Sequence, residues 1–125
     1  MIYLLDVNVL LAAIWDSHPM HERAFSGISG KRIAICPLVE LGFIRISTHP
    51  KATINAPMDK VRELLDHFIQ EREVKRIADD LPALKSRPQK SDEVTDCYLA
   101  ELAASHRMKF ATMDGRIKHT AVEVI

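Results

Sequence analysis

Asp6, Glu40, Asp96 and Asp114 are carboxylates at positions that solvation alone explains poorly. Asp6 ends the apolar run Ile2-Tyr3-Leu4-Leu5, and Asp114 follows the strand-like run Phe110-Ala111-Thr112-Met113. Glu40 and Asp96 lie near the starts of two helix-like segments, among apolar neighbours. Carboxylates are rarely buried unless paired or bound to a metal. Gathered in one pocket they would repel and raise one another's pKa, and a divalent cation would reverse that cost. Oxygen donors without paired His or Cys suit Mg²⁺ or Mn²⁺ rather than zinc. Such an ion activates water and neutralises charge at a phosphoryl group. The chemistry these residues point to is phosphodiester hydrolysis.

Each acid also has a purely structural role to weigh. Asp6 suits a helix N-cap, a role compatible with a place at the carboxyl end of a strand, where open parallel sheets collect ligands. Asn8, two residues on, could orient a carboxylate or a water. Asp114-Gly115 is a turn signal, with Thr112 two residues before it. Asp96 shares a helical face with Leu99, Ala100 and Ala103, away from Glu101 and Ser105. Asp92 and Glu93 already supply first-turn charge to that helix. Glu40 has Phe43 and Ile44 one turn on, in a helix that is apolar nearly all round. Its structural alternative is an ion pair with Arg45 or another Arg.

The elements that must position these residues alternate. Residues 2–5 read as a strand buried on both faces, then 7–15 as a helix and His18 to about Ile28 as a second, more polar one, with Gly27 and Gly30 helping to end it. Ile33–Cys36 is a strand. Pro37 suits the first position of a helix running to about Thr48, and Pro50 lies just beyond its end. After a loop over 51–57, Met58–Glu71 shows apolar residues at helical spacing. Val74–Ile77 is strand-like. Residues 79–91 form a loop that allows a short helix around Leu81–Leu84. Ser91 or Asp92 caps a helix to about His106, and strands follow at Lys109–Met113 and Val122–Ile125. The order predicts one α/β domain over residues 1–125, with a mainly parallel sheet flanked by helices.

Composition excludes several classes. Seventeen basic and seventeen acidic residues leave zero formal charge, which removes any argument from global charge to nucleic acid. Local basic residues remain as candidate phosphate contacts, among them Arg45, Lys90 and Arg116, of which only Arg116 beside the acid turn has a positional argument. Two cysteines, Cys36 and Cys97, read as packing residues rather than a disulfide framework. Asp6 interrupts the first apolar stretch, so no signal peptide is expected there. No run approaches the roughly 20 apolar residues of a membrane span. A cytoplasmic location without membrane attachment is expected. His18 and His21 lack the further ligands of a zinc site and read as surface or capping residues. The four glycines form no phosphate loop.

Four segments carry a family resemblance. Leu4-Leu5-Asp6-Val7-Asn8-Val9-Leu10-Leu11-Ala12 resembles the opening motif of PIN-domain ribonucleases. Cys36-Pro37-Leu38-Val39-Glu40-Leu41-Gly42-Phe43 resembles their second acidic motif, and Thr95-Asp96-Cys97-Tyr98-Leu99-Ala100-Glu101-Leu102-Ala103 their third. Phe110-Ala111-Thr112-Met113-Asp114 resembles the fourth. Each is weak alone, and all four occur in order over nearly the whole chain. Where the family often continues with Asp-Arg and an aromatic, this chain has Asp114-Gly115-Arg116-Ile117. Length and spacing look most like the VapC toxins of bacterial type II toxin–antitoxin systems. The resemblance implies a Mg²⁺- or Mn²⁺-dependent endoribonuclease acting on RNA, inhibited by a cognate antitoxin and usually a homodimer. It further implies Asp6 and Asp96 as principal metal ligands, Glu40 and Asp114 as further acids of the cluster, and Asn8 and Thr112 as supporting polar residues. Helix Met58–Ile69 and helix Val7–Trp15 offer faces for a dimer or antitoxin, or else core. The competing expectation is a PIN-like RNA- or protein-binding module without turnover.

Overall fold

The computed structural model describes all 125 residues. Its centre is β1 (Ile2–Leu5), whose inner residues Leu4 and Leu5 are wholly buried. Then come α1 (Val7–Ile14), α2 (His21–Ile28), β2 (Arg32–Ile35), α3 (Pro37–Thr48) and α4 (Met58–Glu71). The second half holds β3 (Lys75–Arg76), α5 (Val94–Ser105), β4 (Lys109–Thr112) and β5 (Val122–Val124), with short 3-10 turns at Ala83–Lys85 and Ser91–Glu93. The strands form one sheet in the order β3-β2-β1-β4-β5, and every pairing is parallel. The parallel α/β fold expected from alternation is the one observed. Parallel neighbours need crossovers; helices supply them up to β4 and cover the apolar strands, whereas the link from β4 to β5 over 113–121 holds no helix. No helix is long and apolar enough to cross a membrane.

Local departures have local causes. The helix expected from His18 begins only at His21. Pro19 disfavours helical geometry at His18, and the chain instead makes turns from His18 N–H to Trp15 O and from His21 N–H to His18 O. The strand expected over Val74–Ile77 shrinks to Lys75–Arg76, an exposed edge strand paired only with β2. Ser91 lies inside a 3-10 turn ahead of α5, and the Glu93 carboxylate accepts the amides of Gln89 and Lys90.

One core unites the layers. Phe43 of α3 and Phe110 of β4 are its largest fully buried side chains. Trp15, at the end of α1, stacks on Phe43 with ring centroids 6.3 Å apart and donates to Ser47 Oγ at 2.8 Å. The apolar face of α1 (Val9 to Ala13) is buried inside the chain, and so are Val61 and Leu65 of α4. Both cysteines are free; Cys36 is buried and Cys97 half-buried.

Candidate active site

The strand order creates a switch point. From β1 the chain builds outward through β2 to β3, then returns to lay β4 on the other side of β1. In open parallel sheets a crevice opens outside the carboxyl ends of strands at such a reversal. Asp6 follows β1 there, and Asp114 follows β4.

Asp6 takes the N-cap position of α1, only 4% exposed. Its amide donates to Ala111 O of β4 at 3.0 Å. Thr112, fully buried at the end of β4, donates its hydroxyl to Asp6 Oδ2 at 2.8 Å. The same oxygen accepts the Asp114 amide at 3.1 Å, so one hydroxyl couples the two strand ends. Burial raises the Asp6 pKa; the Thr112 hydroxyl and the amides of Asn8 and Val7 oppose it, and the charge of Asp114 adds to it.

Asp96 comes from the first turn of α5, on the face that carries the wholly buried Leu99, Ala100 and Ala103. Burial, then the charges of Asp6 and Asp114, push its carboxyl up to about 6, with Arg116 opposing. Three acids remote in sequence therefore share one electrostatic environment. Asp114 is shifted in the opposite direction. Arg116 grips it through Nε–H to Oδ1 at 3.0 Å and Nη2–H to Oδ2 at 2.9 Å, and the Arg116 amide also donates to Oδ1 at 2.9 Å. Those bonds hold Asp114 down to about 2. The Asp-Gly turn and the acid cluster are thus the same structure: the carboxylate that closes the turn also faces the pocket.

Glu40 is differently placed. It lies in the first turn of α3, and Arg76 of β3 donates to its Oε1 at 2.7 Å. The partner is thus an arginine of the edge strand and not the exposed Arg45. Nearby, Asp79 Oδ2 accepts the Leu38 amide at 3.1 Å, which caps α3 from a distant loop. Glu40 lines neither of the clefts that hold the other three acids. Neither does Arg45.

Two clefts share the Asp114–Arg116 wall. The smaller, about 80 Å³, holds Asp96, Asp92 and Glu93 with Lys90. The larger, about 410 Å³, holds Asp6, Asn8, His18 and Arg23. Arg23 escaped the sequence reading because its anchors are remote: it donates to Ile125 O at 2.8 Å and Met113 O at 3.3 Å. His18 does act as a turn residue, its Nδ1 accepting the Met20 amide at 3.0 Å, yet it also faces the cleft.

The donor set suits a hard divalent ion. No three of the chain's His, Cys, Asp and Glu side chains stand close enough to enclose an ion by themselves. Mg²⁺ does not need such a cage, since it keeps several waters and takes one or two carboxylates. Burial is the main cause of the raised Asp96 pKa, and the charges of Asp6 and Asp114 that add to it are a repulsion a cation would relieve.

A parallel sheet with acids gathered at its switch point defines an α/β class with an acidic crevice. The chain belongs to the PIN domain family, whose model matches residues 3–123, and it groups with the VapC-type members. It is 34% identical to Ribonuclease VapC38 of Mycobacterium tuberculosis (strain ATCC 25618 / H37Rv), over 91% of this chain and 86% of that protein. It is likewise 34% identical to Ribonuclease VapC44 of the same strain, over 95% of this chain and 90% of the relative. Among solved structures it resembles a chain in the crystal structure of VapBC2 from Rickettsia felis bound to a DNA fragment from their promoter. That match has a TM-score of 0.65 and 18% identity and covers 100% of this chain and 99% of the other, a likeness of fold.

Proposed function

We propose that this chain is a Mg²⁺- or Mn²⁺-dependent endoribonuclease that hydrolyses RNA phosphodiester bonds as the toxin of a toxin–antitoxin pair. The observation that carries the reading is the placing of Asp6 and Asp96 in two clefts that share the Asp114–Arg116 wall, near enough for the charges of Asp6 and Asp114 to act on Asp96. Asp6 and Asp96 are the oxygen donors for the ion. When bound, the ion supplies Lewis acidity to the phosphodiester and lowers the pKa of water. Thr112 fixes the rotamer of Asp6. Asp114, kept ionised by Arg116, is an acceptor able to orient the attacking water. Asn8 lies on the same wall. Glu40 would join the acids only on release from Arg76. Lys90, Arg23 and Arg116 flank the acids and suit phosphate oxygens. The relatives' VapC type supports a cognate antitoxin as partner; a homodimer is the assembly the family resemblance implies.

The test is cleavage of single-stranded RNA with Mn²⁺ by the wild type and by Asp6→Asn and Asp96→Asn. Each variant should lose about 100-fold or more in rate. Full-rate cutting by either, or by wild type in EDTA, would overturn the reading. Induced expression should arrest growth, and Asp96→Asn should abolish the arrest. A second reading, an RNA- or protein-binding module without turnover, draws on the arginines that engage Asp114 and Glu40. RNA held intact in a gel shift with Mn²⁺ present would select it.

A further inference from the structure

Beyond the larger of the two acid-lined clefts lies a third of about 420 Å³, and these two share Asn8 and His18. Their chemistry differs sharply. The acid side presents Asp6, Asp114, Arg23 and Arg116. No Lys, Arg, Asp or Glu lines the other; Leu11, Pro19, Ile46 and Ile54 supply its apolar surface, and Ser17 and Thr53 contribute hydroxyls. Phosphates are held by charge, whereas an unstacked base needs an apolar face and a few hydrogen-bonding groups for its edge. The volume falls within the range of small-molecule sites.

From this juxtaposition we propose that the uncharged cleft beyond Asn8 and His18 is a nucleobase subsite that selects where an RNA strand is cut. The inference rests on the ribonuclease reading and deepens it. A strand whose phosphate lies against the acids would pass a neighbouring base over the Asn8–His18 ridge into the cleft. The ridge is equipped for reading an edge. Asn8 is exposed, and its amide carries two donors and an acceptor. His18 Nδ1 accepts the Met20 amide, which leaves Nε2 as the ring's donor.

Both walls are fixed before any ligand arrives. Ser47 O accepts the Ala56 amide at 2.8 Å, and His49 O accepts the Ala52 amide at 3.0 Å, which ties the loop bearing Thr53 and Ile54 to the end of α3. Ser47 is itself held by the Trp15 indole. On the other side, His21 Nδ1 bonds to Ala12 O at 2.7 Å. A preformed cleft spends little of its binding energy on ordering loops.

The test is methyl NMR of the wild-type protein, with labelled isoleucines, titrated with each of the four ribonucleoside 5′-monophosphates. Ile46 and Ile54 methyl signals should shift and saturate with at least one nucleotide, more strongly than with the weakest of the four, while Ile28 in the core stays fixed. Cut sites mapped on a random-sequence RNA pool should show a preference at one position beside the scission, and Ile54→Trp, or Thr53→Arg, should flatten it. Methyls that ignore all four nucleotides overturn the subsite even if RNA is cut. Shifts that appear only when the protein is concentrated assign the cleft to a second copy and overturn it equally. Saturable shifts in a protein that cuts no RNA leave the base site standing and remove the ribonuclease reading alone.

Discussion

One hydroxyl, Thr112 Oγ1, meets two of the three converging acids, donating to the Asp6 carboxylate and accepting the Asp114 amide. Valine has nearly the same shape and neither capacity. Thr112→Val would leave a carboxylate oxygen that is almost out of water without its hydroxyl donor, a loss of about 1–3 kcal/mol. The melting temperature should fall by about 4–12 °C, and the Asp6 pKa should rise further because the bond that opposes burial is gone. Ser at this position keeps the hydroxyl and should recover most of both. Calorimetry on the three proteins checks this, and an unchanged melting temperature for Thr112→Val would remove Thr112 from the account. Arg116 works on the other acid, and its bidentate grip is the cause of the low Asp114 pKa. Because that pair is exposed, its contribution to stability is small; its value lies in keeping Asp114 charged.

Between elements, close approach decides outcomes that propensity alone would reverse. Gly42 is helical and buried in α3, and a Cβ there would come within 2.9 Å of Val7 Cγ2 on α1. Helix propensity favours Ala over Gly by about 1 kcal/mol, while forcing an extra methyl into a packed contact costs about 1–3 kcal/mol. Gly42→Ala should therefore be net destabilising, by about 1 kcal/mol. In a Val7→Ala background the same change should become stabilising, since the obstructing methyls are gone. Urea melts of the four proteins of that cycle measure the sign. The same logic applies where Gly27 of α2 meets Ile125, 2.9 Å from a built Cβ. The C-terminal Ile125 is fastened there by Arg23, which connects the packing of α2 to one wall of the crevice.

Across the whole molecule the acids couple pH to stability. Asp96 rises from an ordinary 3.8 to about 6 in the fold. Between those values the native state binds more protons than the unfolded chain, so stability falls as pH increases, and above about 6 the loss is complete. Asp6 is shifted in the same direction. Asp96→Asn should thus raise the melting temperature at pH 7.5 by about 3–6 °C and leave it nearly unchanged at pH 4. Mn²⁺ should produce a similar rise in the wild type at pH 7.5 and little in the variant. Differential scanning fluorimetry at both pH values separates these outcomes, and an equal gain at pH 4 would contradict the linkage. Global charge is silent about all this, because seventeen basic and seventeen acidic residues cancel while the local fields do not.

The amino-acid sequence by itself determined the alternation of strands and helices, the parallel sheet, and the placing of Asp6 and Asp114 just past strand ends. It also determined which face of its helix Asp96 shares with Leu99, Ala100 and Ala103. These are local properties: a period of two or of 3.6 residues, a cap, a proline. Tertiary structure alone decided which strands became neighbours, and hence that β1 and β4 bring two acids to one hydroxyl. It also decided that Glu40 meets Arg76, 36 positions away, that Arg23 reaches the end of the chain, and that His18 borders two clefts. Long side chains choose partners by three-dimensional proximity, and no local pattern encodes that choice. The edge strand shows the same division, for its apolar residues suggested four positions and only two found a partner strand.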